Sequence, residues 1–406
     1  MAYSHSLLQL TTWLRLLGVP PIKYIRSIQT STPMATRRER RSKLKRKRKL
    51  YLKEKEVPIA PEPRKGFLKF YHDRYRLLLF IPFLILLLAL AQIGVQYATT
   101  GDFLNKGVSL KGGLTLTVPI DAPVDVHATE RFLQNRFPSN DLRLRAISEF
   151  GRQVALIIEA SSDVESDDAI RALEQGVIAA LRERVAFDDY SVEVIGPSLG
   201  ASFFSQTLKA VFIAFLLMGL VVFLYFGENF KAKMAATVLT LIASFSIFGA
   251  HTFAAFLALG VLAVILALLY VFFSPPSAAV ILAAMSDIIV TLAIVNLLGI
   301  RIGTAGIAAF LMLIGYSVDT DILLSVRVLK RTGGGVFSRI VSAMKTGVTM
   351  SVTSISAALV GFLVSQSETI RQIMLIVLIG LIVDLIFTWL QNAGIIRLWA
   401  ERRHLE

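Results

Sequence analysis

The sequence predicts a polytopic α-helical membrane protein with about eight spans and a βαββαβ domain between the first span and the second. Three observations carry this. Of 406 residues, 54% are hydrophobic and 18% charged, with a mean hydropathy of +0.63, a balance that argues against a wholly soluble chain. The apolar residues gather into runs near the length of about 20 that a helix needs to cross hydrocarbon. Between the first two runs lies a polar stretch whose apolar positions follow strand and helix periods in turn. There are no cysteines, so disulfides and thiolate metal sites are excluded.

The N-terminal region, 1–73, is basic and expected to be cytoplasmic. Residues 37–49 hold ten Lys or Arg and one Glu, so nine of the fourteen net positive charges sit there. A basic flank before a first span keeps its side in the cytoplasm and attracts anionic lipid headgroups. No aromatic residues interleave for base stacking, so no nucleic-acid partner is expected. The first 33 residues contain no acid. They read either as an amphipathic, targeting-like segment or as an over-long start, with Met34 the favoured first residue.

The first span is expected at 77–97, and the others at 207–226, 234–251, 254–273, 278–298, 303–325, 345–364 and 372–396. With the N-terminus inside, the even-numbered loops carry Lys231 and Lys233, then Arg327, Lys330, Arg331, Arg339 and Lys345. Arg397, Arg402 and Arg403 follow on the same side, so both termini are expected in the cytoplasm of a plasma-membrane protein.

The polar region, 100–205, would then be external. It reads as a strand (115–120), a helix (126–137), two strands (142–148 and 154–159), a helix (166–185) and a strand (191–195). On the second helix Ile170, Leu173, Val177, Ile178 and Leu181 recur at helical spacing. This element order is the ferredoxin-like one.

Four segments, in order, resemble the SecD/SecF protein-export family in its archaeal, SecF-type form. Lys106-Gly107-Val108-Ser109-Leu110-Lys111-Gly112-Gly113 resembles the family's entry into its first external domain, where paired glycines let backbone bend or approach closely. Ile195-Gly196-Pro197-Ser198-Leu199-Gly200 resembles the return to the membrane. The most specific match is Ile314-Gly315-Tyr316-Ser317-Val318-Asp319-Thr320-Asp321 and its continuation to Arg327; the fourth is Asp384 to Ile395. The resemblance implies an RND-like bundle, a SecD homologue and a SecY-type translocon as partners, and exported polypeptides as cargo. It implies coupling to the ion-motive force, no cofactor and no enzyme chemistry. The chain departs from the family's six spans by two extra apolar stretches within 231–274, expected to form a peripheral hairpin before a four-span bundle at 278–398.

An Asp at the centre of a span costs about 2.5–3.5 kcal/mol on insertion scales, so it needs a partner, water or a proton. Asp287, Asp319, Asp321 and Asp384 all fall inside expected spans. The resemblance makes Asp319 the leading ion-translocation residue, with Asp287 and Lys345 as its partners. Asp321 lies roughly 200° around the helix from it and is ranked second, with Ser317 and Ser325 on its own stripe. Asp384 is expected to pair quietly with neighbouring Ser, Thr or Asn, Arg327 to anchor a span end, and His251 to be tolerated at an interface. Two other readings compete. A stand-alone RND-type small-molecule or lipid transporter usually has two six-span halves. An intramembrane aspartyl protease needs Tyr-Asp and Gly-x-Gly-Asp settings, which this chain lacks.

Overall fold

The computed structural model describes residues 66–149, 152–161, 167–249, 253–330, 334–365 and 367–403. The basic run 37–49, the first 33 residues and His251 lie outside them. A short helix α1 (Phe67–Asp73) leads into the first span, α2 (Tyr75–Thr100). After a one-turn helix α3 (Val108–Lys111) come β1 (Gly113–Pro119), α4 (Val126–Arg136), β2 (Asp141–Glu149), β3 (Arg152–Ser161), α5 (Asp167–Arg182) and β4 (Ser191–Ile195). The rest is helical: α6 (Pro197–Phe226), α7 (Phe230–Gly249), α8 (Phe253–Phe273), α9 (Pro275–Leu297), α10 (Thr304–Lys330), α11 (Val336–Val364) and α12 (Glu368–Ile386). A π-helical stretch, Phe387–Asn392, joins α12 to the last helix, α13 (Ala393–Arg402).

Among the described residues seven helices are long and apolar enough to cross a membrane, the last running unbroken from Thr369 to Arg402. The chain is thus a multi-pass helical membrane protein. Helix α8 contributes a shorter apolar section, Ala258–Phe273. Two spans start well before the apolar runs that betray them. Helix α6 begins at Pro197 rather than 207, so the helix takes in the last residues of the expected 100–205 domain. Gly196 is its N-cap and Pro197 its first residue, where a missing N–H costs nothing. Helix α11 begins at Val336 rather than 345, directly after the breaker Gly333-Gly334-Gly335. Hydropathy marks where a helix meets lipid; caps and breakers mark where it starts.

The four strands form one sheet in the order β2-β3-β1-β4, every neighbour antiparallel. Period-two alternation sends Leu114, Leu116 and Val118 of β1 to one face, where Leu156 and Ile158 of β3 join them. Helices α4 and α5 cover that face with Leu133, Val177 and Leu181, all without exposed surface. Each such side chain contributes about 1.5–3 kcal/mol through burial.

The sheet meets the bundle at a joint of bare backbone. Gly112 and Gly113 have φ of +94° and +134°, conformations that favour glycine. A Cβ on Gly113 would lie 2.2 Å from the Ala160 carbonyl oxygen, and one on Gly112 would lie 2.5 Å from Cα of Pro197. Gly200 closes on the same point, since its Cβ would stand 2.8 Å from the Gly112 nitrogen. A second seam lies at the turn between α9 and α10. There Arg301 pairs with Asp141 at 2.5 Å and reaches Glu159 at 4.0 Å, while Gln372 donates to its carbonyl.

Within the bundle α9 and α10 are the most enclosed spans, and α2 and α11 are mostly exposed. The α7–α8 pair packs on α6 and α9 through Leu220, Phe223, Ala236, Leu266 and Tyr270. At one end of α10, Lys330 lies 3.6 Å from the centroid of the Tyr225 ring of α6, a cation–π contact.

A buried aspartate cluster as the candidate functional site

Three helices bring carboxyl groups together in the interior: Asp287 from α9, Asp321 from α10 and Asp384 from α12, all without exposed surface. Small neighbours let the helices close around them. Ala283, Ala284 and Ser286 flank Asp287, and Ser317, Thr320 and Ser325 flank Asp321, all of them buried.

The π-helical stretch supplies the remaining polar groups. Its wider turn lets Asp384, Thr388 and Asn392 reach one region from successive turns, and such bulges occur frequently at functional sites. Thr388 Oγ1 lies 2.9 Å from Asp321 Oδ1 and 3.0 Å from Asp384 Oδ1. Asn392 Nδ2 donates to Asp321 Oδ1 at 2.7 Å. Ser317 Oγ donates to Asp287 Oδ2 at 2.5 Å.

Carboxylates gathered in an enclosed interior repel one another and need water, a cation or a proton among them. The single hydroxyl proton of Thr388 serves one carboxyl group fully, and its other contact is completed when that group donates. Among the described residues no Lys, Arg or His pairs with any of the three. One oxygen of each carboxyl group, and both amide atoms of the buried Gln391, have no protein partner. The cluster therefore consists of two hydrogen-bonded groups in one buried region, Ser317–Asp287 and Asp384–Thr388–Asp321–Asn392.

Asp319 stands outside this cluster. Ser317 and Asp321, four residues apart, face the cluster, and the half-turn offset between positions 319 and 321 turns Asp319 to the exposed side of α10. Asp287 accordingly meets Ser317, not Asp319. Lys345 is exposed on α11. Gly315 and Tyr316 share the exposed side, and nothing lies within 4 Å of where a Cβ on Gly315 would be. Gly112, Gly113, Gly196 and Pro197, by contrast, converge at the sheet–bundle joint. The serines also differ from expectation: Ser317 serves Asp287, and Ser325 donates to the backbone carbonyl of Asp321 at 2.8 Å. Arg327 donates to the Ser342 carbonyl of α11 at 2.6 Å. Asp384 belongs to the cluster, and the sequence held a signal for it: Asp384, Thr388 and Asn392 recur every fourth residue.

Comparison with known proteins identifies the family of the chain. The family model "Protein export membrane protein SecD/SecF, C-terminal" matches residues 177–252 and 247–402. The chain is 31% identical over 334 residues to the protein-export membrane protein SecF of Methanothermobacter thermautotrophicus, covering 81% of this chain and 94% of that protein. SecF of Pyrococcus furiosus is 30% identical, with 79% and 90% covered, and SecF of Methanocaldococcus jannaschii 29% identical, with 80% and 95% covered. Among solved structures, SecDF of Thermus thermophilus, described as a translocon-associated membrane protein, superposes with a TM-score of 0.53 at 18% identity. That match covers 84% of this chain but only 39% of the SecDF chain. The chain belongs to the SecD/SecF family of protein-export membrane proteins, alongside archaeal SecF.

Proposed function

We propose that this chain is the SecF-type auxiliary subunit of a Sec protein-export machinery and that its aspartate cluster couples proton movement to the work of export. The observation that carries the coupling is the burial of three carboxyl groups together inside the bundle, with Thr388 bridging Asp321 and Asp384 and Ser317 bonded to Asp287. One elementary charge crossing 100 mV supplies about 2.3 kcal/mol, enough to bias a rocking motion between two packings of the bundle. The βαββαβ domain is then a ferredoxin-like module on the outer face, the termini are cytoplasmic, and the α7–α8 hairpin completes eight spans. The basic run 37–49 holds the anionic inner surface.

The partner is a SecD homologue that shares a SecY-type translocon and its exported chains. Asp319 and Tyr316 support this, because they are exposed on a spanning helix where lipid is a poor solvent for charge. A partner's spans would cover that side and shield Asp319 from lipid. The roles thus divide: Asp321, Asp384 and Asp287 carry the proton, and Asp319 faces the partner.

The test is export in vesicles with an imposed ion gradient, the chain being reconstituted with its SecD homologue and translocon. Asp321→Asn keeps shape and hydrogen bonding but cannot exchange a proton. It should abolish the gradient-dependent part of export while leaving insertion and partner binding intact. Asp319→Asn should instead weaken recovery of the partner. Full gradient-dependent export by Asp321→Asn would refute proton carriage by the cluster. Dependence on a sodium gradient alone would replace the proton with sodium.

A further inference from the structure

The wider turn at Phe387–Asn392 frees one backbone carbonyl. The Ala393 N–H goes to the Thr388 carbonyl, five residues back, and from Ala393 the chain resumes the ordinary α-helical pitch. Where five-back bonding gives way to four-back bonding, one carbonyl is passed over, here that of Trp389, the residue directly after Thr388. A buried carbonyl needs a partner, and one freed from its helix must find it elsewhere. Tyr71 of α1 supplies it: its hydroxyl donates to the Trp389 carbonyl from a helix that lies outside the spans. Both side chains are buried. Burial pushes the Tyr71 phenol up to about 12, against the lowering pull of Arg397, so the hydroxyl remains a donor throughout the physiological range.

Helix α1 is fastened beyond the wide turn. Arg397 of α13 donates through Nη1 to the His72 carbonyl at 3.2 Å, and its Nη2 lies 3.1 Å from His72 Nδ1. Its Nε donates to Glu401 Oε1 at 2.8 Å, and Tyr75 Oη donates to Glu401 Oε2 at 2.6 Å. The guanidinium also lies 3.8 Å from the centroid of the Tyr75 ring. Arg397 follows Trp389 on one unbroken helix, so α1 grips that helix past the wide turn and reaches back to it with Tyr71. On its other side the Trp389 ring fills the space beside Gly347 of α11, where a Cβ would strike it. We propose that Tyr71 is a positioning residue: by holding the Trp389 carbonyl it fixes where the wide turn sits, and so keeps Thr388 within reach of Asp321 and Asp384. Without that hydroxyl the wide turn can migrate along the helix, and each residue it passes swings by about 100°. The consequence for export rests on the coupling proposed for the cluster; the consequence for the carboxyl contacts does not.

Carbodiimide labelling reads those contacts directly. Dicyclohexylcarbodiimide modifies protonated carboxyl groups in apolar surroundings; the full chain is labelled in vesicles and the adducts are mapped by mass spectrometry. Tyr71→Phe should change labelling of Asp321 and Asp384, the two carboxyl groups bonded to Thr388, by about fivefold. Asp287, bonded to Ser317 instead, should stay within about twofold of wild type. Tyr75→Phe removes the other hydroxyl that fastens this end of the chain and should leave all three unchanged. Reconstituted with the SecD homologue and translocon, Tyr71→Phe should lose gradient-dependent export while keeping insertion and partner recovery, and Tyr75→Phe should keep all three. Deleting Leu390 takes out the extra residue of the wide turn, so that no carbonyl is passed over. On that background Tyr71→Phe should change nothing further, which supplies the reading if Tyr71→Phe alone fails to insert. Labelling that is absent or unchanged in Tyr71→Phe, equal changes in Tyr71→Phe and Tyr75→Phe, or a further loss on the deletion background would overturn the positioning role. Altered labelling of Asp321 and Asp384 with full gradient-dependent export would uphold that role and refute the coupling instead.

Discussion

Thr388 has one proton and two carboxyl neighbours, and much of the cluster's behaviour follows from that. Replacing it by Val keeps the volume but leaves Asp321 and Asp384 without their bridge. The variant should lose about 1–3 kcal/mol of stability from unsatisfied buried acceptors, read as a lowered unfolding temperature, and lose gradient-dependent export. Thr388→Ser restores the hydroxyl and should recover both; failure to recover export would separate the bridge from the coupling. At this scale the sequence was half legible. Four aspartates inside apolar runs could be seen, as could the half-turn that keeps positions 319 and 321 apart. Which of the two looks inward depends on where α9 and α12 pack, and a one-dimensional pattern does not contain that. The resemblance favoured Asp319, whereas packing encloses Asp321 and adds Asp384, because the π-helical stretch swings Thr388 and Asn392 toward α10.

Among the elements, the strands were the most readable, because alternation of buried and less buried residues registers the pleat directly, as Leu114, Leu116 and Val118 do in β1. Helix starts at Pro197 and Val336 were less so, since a helix that protrudes from lipid has no apolar signature there. The contact between elements that no sequence pattern announced is Arg301 against β2 and β3. Its pair with Asp141 is half exposed and contributes little, while Glu159 is nearly enclosed and keeps Arg145 as a second partner. Arg301→Gln should therefore cost only about 1 kcal/mol of stability. Its effect should appear as faster hydrogen exchange along β2 and at the α9–α10 turn, with the sheet core unchanged. Exchange that rose equally through Leu114, Leu116 and Val118 would mean that Arg301 supports the domain's fold rather than its seating.

For the whole molecule, the extra pair of helices packs on one flank, against α6 and α9, and contributes no residue to the aspartate cluster. Joining Gly227 directly to Ser274 should leave insertion, partner binding and gradient-dependent export within about twofold of wild type, a difference below 0.5 kcal/mol. Loss of partner recovery in a correctly inserted deletion would make that flank a contact surface. The two ends of the βαββαβ domain are arranged otherwise. Entry at Gly112-Gly113 and exit at Pro197 and Gly200 press against each other as backbone, with no side chains between. Both covalent tethers thus leave the domain at one place, as the two wires of a pendant lamp leave a single ceiling hook. A turn about that hook stretches neither tether. A few degrees of tilt handed up by α2 and α6 become a sweep that grows with distance from it, so the parts of the domain farthest from the glycines travel most while the anchorage scarcely moves.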